Sequence, residues 1–255
     1  MPQGDDTQRL GFPEHSLSTP PLSRRLQTIL DLLGTSETLA DVGTDHGYLA
    51  VAAYEQGKAQ RVVASDINEP PLHAARVLIA RRGLAKHIHT RLGDGLLCYQ
   101  PVELQQVVIA GMGGVLIHTL LQSASDAAPS CLAQCKRLVL QPMNHEMALR
   151  QWLSEHGWPI EDERLIEEKG KLYHIIVSKP GTIPYQLTWE QLFCGPVNMV
   201  KVPPALMVFV QREWQRRMNV LSMVRSHPGN EERVADLESE IIRLHCIRQS
   251  IALGQ

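Results

Sequence analysis

What is missing from this chain narrows it first. No run of about 18 or more apolar residues occurs, so no membrane-spanning helix is expected. The opening stretch, MPQGDDTQRLGFPEHSLSTPPL, carries acids and lacks a basic segment followed by an apolar one, so it does not read as a secretory signal. Cysteines are few, 5 in 255 residues, odd in number and scattered at 98, 131, 135, 194 and 246. Cys131 and Cys135 do not form a Cys-x-x-Cys and no second pair of well-spaced ligands stands near them, so neither a disulfide framework nor a metal site is expected. Small buried thiols in a reducing cytoplasm fit better. A large charge excess is missing too: 25 Lys and Arg face 27 Asp and Glu, for a formal net charge of −2. Composition therefore does not by itself point to nucleic acid. No internal repeat is apparent.

What is present is ordinary globular material. A hydrophobic fraction of 44% and a charged fraction of 20% exclude a disordered, fibrous or collagen-like chain and can fill a sizeable core. The length fits one large domain or one domain with an appendage. The Pro, Ser and Thr content of residues 1–20 predicts a disordered tail.

From residue 21 to 180, helical and strand patterns alternate. LSRRLQTILDLL places Leu22, Leu26, Ile29, Leu30 and Leu33 at helical spacing. TLADVG is a strand, GYLAVAAYEQG a helix closed by Gly57, and RVVASDI a β-branched strand ending in an acid. Pro70 and Pro71 open a helix that Gly83 ends. IHTRLGDGL reads as strand and turn, QQVVIAGMGG as a buried strand entering a glycine-rich turn, and VLIHTLLQSA as a helix. RLVLQP is a strand stopped by Pro142, HEMALRQWLSEHG a helix, and DERLIEEKGKLYHIIVSKPG two strands joined at Lys169-Gly170-Lys171. Such alternation predicts βαβ units, a mostly parallel sheet and an antiparallel pair at one edge. Residues 181–255 change character: a proline-rich connector with one short helix, then two long amphipathic helices. The first has Met207, Val210, Trp214, Met218, Leu221 and Val224 in step; the second has Val234, Leu237, Ile241, Leu244, Arg248 or Ile247, and Ile251. His227-Pro228-Gly229-Asn230 breaks them, which predicts an antiparallel coiled-coil hairpin.

The chemistry gathers at strand ends. Asp41-Val42-Gly43-Thr44-Asp45-His46-Gly47 is a strand ending in an acid followed by glycines that open a helix. Such a turn lets backbone N–H groups approach a nucleotide-like ligand. Asp45 stands where dinucleotide-binding turns carry glycine, and with Asp41 it would repel a pyrophosphate. The same pair tolerates a ligand with a cationic amino-acid end, which favours S-adenosylmethionine over NAD. Asp66 ends the next strand, where an acid can accept both ribose hydroxyls; it reads also as a cap ahead of Asn68 and Pro70. Gly93-Asp94-Gly95 follows the third strand; Asp94 can accept from an adenine amino group, or the segment is an ordinary turn. Ala110-Gly111-Met112-Gly113-Gly114 permits close approach of a flat ligand, with Met112 against it or simply in the core. Gln141 can hold a base edge and Asn144 can do the same, or Asn144 is a helix N-cap. The three acids follow three successive strands, all at carboxyl ends, where open α/β sheets bind ligands.

Taken in order, LSRRL, DVGTDHGYL, SDIN, RLGDGL, AGMGG, LQP and GKLYHIIV resemble the bacterial tRNA (adenine-22-N1)-methyltransferases, and so do the connector from Tyr185 to Pro196 and the closing hairpin. The resemblance runs from Leu22 to the C-terminus. It implies a Rossmann-like class I methyltransferase sheet over residues 21–180 and a helical domain over 181–255. It implies S-adenosyl-L-methionine as donor and N1 of an adenine in the D-arm of tRNA as acceptor. The cofactor residues it implies are Asp41, Gly43, Asp45, Gly47, Asp66, Ile67, Asp94, Gly95, Ala110, Gly111 and Met112. Arg24, Arg25, His46 and Tyr173 would meet the substrate. Asp45, Gln141 and Asn144 are the candidates for catalysis, Asp45 by offsetting the charge of the methylated base. Arg76, Arg81, Arg82, Arg212 and Arg216 are further candidates for tRNA phosphates, and each also reads as a solvated helix face. No metal, no membrane, a cytoplasmic location and a monomer or weak dimer are expected. A methyltransferase acting on another RNA, a protein or a small molecule is the alternative. An NAD-binding protein and a non-catalytic adapter are the more distant ones.

Overall fold

The computed structural model describes residues 21–127, 131–225 and 229–254; the expected tail at 1–20 and the helix break at His227 and Pro228 lie outside them. Among the described residues, α1 (Arg24–Leu32) leads into β1 (Ser36–Val42), α2 (Tyr48–Glu55), β2 (Ala59–Asp66), α3 (Glu69–Arg81), β3 (Ile88–Leu92), β4 (Gln106–Met112), α4 (Gly114–Ala127), β5 (Arg137–Pro142) and α5 (Glu146–Glu155). Two hairpin strands follow, β6 (Ile160–Glu168) and β7 (Lys171–Ser178). Then come α6 (Trp189–Cys194), α7 (Pro196–Lys201), α8 (Pro204–Val224) and α9 (Glu231–Leu253).

Local chemistry sets these boundaries. Ser23 caps α1, its Oγ accepting from the Leu26 N–H at 3.2 Å. Pro70 and Pro71 occupy the first turn of α3, where a missing N–H costs nothing. Thr188 and Gln191 form a reciprocal capping box at α6. The connector holds two short helices where one was expected, because Gly195, at φ 94°, turns the chain between α6 and α7.

The seven strands run β3-β2-β1-β4-β5-β7-β6. β1 pairs in parallel with both β2 and β4, so the strand order reverses there and the carboxyl ends diverge into a crevice. β7 lies antiparallel between β5 and β6, as the edge pairing predicts. One face of the sheet buries Ile29, Leu30, Leu49 and Ile79 under α1, α2 and α3. The other buries Ile117, Leu121, Trp152 and Leu153 under α4 and α5.

A third cluster, with Leu165, Phe193, Leu206, Val210, Leu244 and Ile247, fastens the helical segment to β6. Each such side chain contributes about 1.5–3 kcal/mol. A buried ion pair reinforces it. Arg150 Nε donates to Glu163 Oε1 at 2.8 Å and its Nη1 to Leu192 O at 2.7 Å. Glu163 Oε2 accepts from the Val197 N–H at the start of α7, at 3.0 Å. A side chain at Gly195 would collide with that carboxylate. α8 and α9 lie antiparallel: Arg225 pairs with Glu238, Arg217 with Glu240, and Arg248 stacks on Trp214. The seam differs from the expected stripe. Leu206, Val210 and Leu221 are buried on α8, while Met218 is exposed. Among the described residues, no helix is long and apolar enough to cross a membrane.

Candidate active site

The crevice between β1 and β4 opens onto the turn Gly43–Gly47. Gly43 and Gly47 take φ of 74° and 72°, which L side chains rarely adopt. A Cβ at Gly43 would strike the Met112 methyl, and one at Gly47 would lie 3.0 Å from the Ala75 Cβ. His46 shares the left-handed conformation, at φ 59°, and so does His145 at φ 55°. The two histidines stand in the turns that follow β1 and β5.

Asp41 lies at the floor, 5% exposed. Thr44 Oγ1 donates to its carboxylate at 2.8 Å. Burial nevertheless dominates and raises its pKa to about 6, the Thr44 bond lowering it only in part. A desolvated carboxylate paired only with a hydroxyl fits a cationic group delivered by a ligand. Asp45 is solvent-facing and 3.2 Å from His46 Nε2. Asp41, Gly43, Thr44, Asp45, Ala110 and Arg25 line one cavity. The Tyr99 hydroxyl, buried beneath, lies 2.8 Å from Ser65 Oγ and 3.2 Å from Asp41 O, fixing the ends of β1 and β2.

The other acids sit along the same end of the sheet. Asp66 ends β2, and its Oδ1 accepts from the Asn68 N–H at 2.7 Å, so it turns the chain and keeps its second oxygen. Ile67 beside it is exposed at 63%, an apolar surface at the groove. Asp94 is exposed after β3, and Gly95, at φ 52°, leaves room for Leu120. The AGMGG segment does not turn at once: β4 continues to Met112 with a bulge between Ala110 and Met112, and Gly111 takes φ 79°.

Gln141 is fully buried, and its amide is spent inside the protein. Its Oε1 accepts from Arg25 Nη1 at 2.6 Å and from the Gly111 N–H at 3.1 Å, while Nε2 donates to Pro142 O at 2.8 Å. Arg25 in turn lies over the Tyr173 ring at 5.7 Å. Asn144 does not cap α5; His145 holds that position. Asn144 instead ties the turns after β4 and β5, since its carbonyl accepts from the Gly114 N–H at 3.0 Å. Arg24 is turned away, bonded through Nη1 to Glu167 O at 3.0 Å. Arg76 is engaged by Glu69 and Thr90, and Arg82 by Glu55. Thr44 and Tyr99 were not read from the sequence. Thr44 sits inside the glycine turn and carried a signal; Tyr99 acts across 58 residues from Asp41 and carried none.

The crevice fits an S-adenosyl donor. Buried Asp41 suits an ammonium, the glycine turn admits backbone contact, and Asp66 retains an oxygen for ribose. Among the described residues no group of three His, Cys, Asp or Glu could hold a metal ion.

Comparison with known proteins bears on the same residues. Residues 39–246 match the family model for tRNA (adenine(22)-N(1))-methyltransferase. The tRNA (adenine(22)-N(1))-methyltransferase of Bacillus subtilis is 37% identical over 160 residues, 63% of this chain and 66% of that protein. The crystal structure of the B. subtilis m1A22 tRNA methyltransferase TrmK superposes with a TM-score of 0.81 at 28% identity, covering 89% of this chain and 99% of that one. Streptococcus pneumoniae Sp1610 in complex with S-adenosyl-L-methionine superposes with a TM-score of 0.76 at 31% identity, covering 89% of this chain and 100% of that one.

Proposed function

This chain belongs to the tRNA (adenine(22)-N(1))-methyltransferase family, and from that premise we propose how its own residues methylate N1 of adenine 22 in tRNA. S-adenosyl-L-methionine supplies the electrophilic methyl group on a sulfonium. One observation carries the site assignment: buried Asp41, solvent-facing Asp45, Ala110 and Arg25 meet in one cavity at the switch point of the sheet.

Asp41 accepts from the donor's ammonium, which relieves the cost of its burial. Gly43 and Gly47 let the turn approach the donor closely. Asp66 holds the ribose and Asp94 the adenine amine, with Ile67 and Met112 against the ring. N1 of adenine has a free lone pair, so in-line attack needs no base, and the chain contributes positioning and field. A paired adenine hides N1, so the base must be extruded into the crevice. The Arg25 guanidinium, stacked on Tyr173, presents a flat face for it. Gln141 acts through Arg25, by fixing that guanidinium, because its own amide is already bonded. Asp45 and His46 stand at the mouth, where Asp45 offsets the positive charge that appears on the ring. Asn144 acts through the turn after β4, where its Oδ1 and its carbonyl both accept from the Gly114 N–H. The chain works as a monomer or weak dimer, in the cytoplasm where tRNA is processed.

The test is to incubate the protein with labelled S-adenosyl-L-methionine and tRNA transcripts carrying adenine or guanine at position 22, then digest to nucleosides. Label in 1-methyladenosine from the first RNA alone is the expected result. Label in another nucleoside, or equal transfer to both RNAs, overturns the acceptor assignment. For the catalytic role, Asp45→Asn lowers the single-turnover rate more than donor affinity. A collapse in donor affinity with an unchanged rate at saturation makes Asp45 a cofactor ligand only.

A further inference from the structure

A second cavity, about 660 Å3, lies between the turn after β5 and helix α8. Its place is informative. β7 pairs with β5 as Leu140↔Ile176, so His174 lies beside the carboxyl end of β5, level with the donor crevice. The turn Met143–His145 separates the two spaces: Gln141 on one side holds Arg25, and Asn144 and His145 on the other line the second cavity. A substrate reaching from the crevice to the helical hairpin passes over it.

Its interior is built for a flat ring with an acceptor. Leu172, Phe193 and Phe209 form apolar walls. His174 is 2% exposed, and its Nδ1 is 3.0 Å from Arg150 Nη2. A guanidinium only donates, so Nδ1 accepts and the ring hydrogen sits on Nε2. That Nε2 is buried and has no hydrogen-bond partner. Burial and the neighbouring Arg150 charge hold the pKa of His174 well below the usual histidine range, so the neutral tautomer persists. Phe209 stands edge-on against the imidazole, centroids 4.7 Å apart. At the rim, Arg216 is 76% exposed with Glu213 at 3.7 Å, and Arg212 bonds Gly170 O and Glu167. Glu146, Glu213 and Arg217 also line the cavity, and Arg217 Nη1 donates to Glu213 Oε2 at 2.6 Å.

We infer that this cavity is a second base-binding subsite, which takes one unstacked nucleotide of the RNA substrate adjacent to the target adenine. The inference rests on the methyltransferase reading above. The base enters, its carbonyl or ring nitrogen accepts from His174 Nε2–H, and Phe209 swings to stack on it. The backbone stays at the rim, where Arg216 and Arg212 meet phosphate. Holding a neighbour of the target unstacked helps keep the target itself extruded.

The experiment uses the full-length protein at saturating donor and tRNA transcripts with a single abasic site at each position flanking adenine 22. Phe209→Leu keeps apolar volume and removes the flat face. It raises the tRNA KM by about tenfold, the scale of one lost base–aromatic stack, with donor affinity unchanged. One abasic position weakens the wild-type protein and does not weaken Phe209→Leu further. Additive losses at every flanking position, or an unchanged KM in a folded Phe209→Leu, overturn the subsite. A wild type that forms no 1-methyladenosine on intact tRNA overturns the underlying reading instead, and shows as absent turnover rather than additivity. Should Phe209→Leu fold poorly, a photoreactive pyrimidine at each flanking position is cross-linked to the wild-type chain. Attachment at Phe209 or His174 supports the subsite; attachment confined to the outer face of α9 overturns it.

Discussion

Asp41, proposed above to accept from the donor's ammonium, ties that role to its own electrostatics. Its pKa of about 6 lies above the ordinary 3.8 because burial penalises the charged form. The native state therefore binds a proton more tightly than the unfolded chain between those values. Stability from this group is greatest at low pH, declines as pH rises from about 4 to 6, and is level above that, a cost of about 3 kcal/mol at neutral pH. Asp41→Asn should thus stabilise the protein without donor at pH 7 by an amount on that order, and the gain should vanish near pH 4. Urea unfolding at the two pH values checks it. The same variant should bind S-adenosyl-L-methionine poorly. In the wild type, donor affinity should fall by roughly tenfold per unit below pH 6, read by calorimetric titration. The sequence located Asp41, Asp45 and Asp66 because acids and glycines at strand ends have a local pattern. It did not separate buried Asp41 from solvent-facing Asp45, since neighbours in sequence differ only by what covers them.

Two elements owe their placement to polar contacts that no local pattern announces. The Arg150–Glu163 pair, both side chains fully buried, joins α5 to β6 and, through Glu163, to the start of α7. Arg150→Met leaves the Glu163 carboxylate buried without its cation and should cost about 3–5 kcal/mol. Adding Glu163→Gln should recover part of that, and urea midpoints of the single and double variants measure both. The second element is the pair of turns after β4 and β5. A Cβ at Gly114 would lie 2.5 Å from Asn144 O and 2.7 Å from His145 O. Gly114→Ala should therefore push the turn after β5 outward. Turnover should drop by about tenfold or more for such a displacement, while donor affinity holds. Helix and strand spans were legible throughout because burial repeats every two or 3.6 residues. The extra helix in the connector was not, since only Gly195 separates α7 from α6.

On the scale of the whole molecule, the helical hairpin packs against the edge strand β6. Leu165, Phe193, Leu206 and Leu244 join it there. The net charge of −2 hides local cationic rims such as Arg212 and Arg216. If RNA binds across both parts through even three phosphates, affinity should fall by tenfold or more between about 50 and 200 mM salt. Donor affinity should change little over the same range. Filter binding and calorimetry at matched salt give the comparison, and a flat RNA response would remove the rim from the binding surface. Of the arginines named from sequence, Arg25 lines the donor crevice and Arg216 the second cavity, whereas Arg24, Arg76 and Arg82 are bonded to Glu167, Glu69 and Glu55 and line neither.

The sequence by itself determined the order of elements, the alternating sheet with its antiparallel edge, the strand-end acids and the family. These follow from periodicity, turn chemistry and motif order, all of which are local along the chain. Tertiary structure alone decided which side chains still have hydrogen-bonding capacity to offer. Gln141 has none left, because Arg25 reaches it across 116 residues. His174 has one donor to spare, because Arg150 occupies its other nitrogen. Hydrogen-bond saturation is a property of neighbours in space, and a side chain's partners are settled only when distant strands and helices meet.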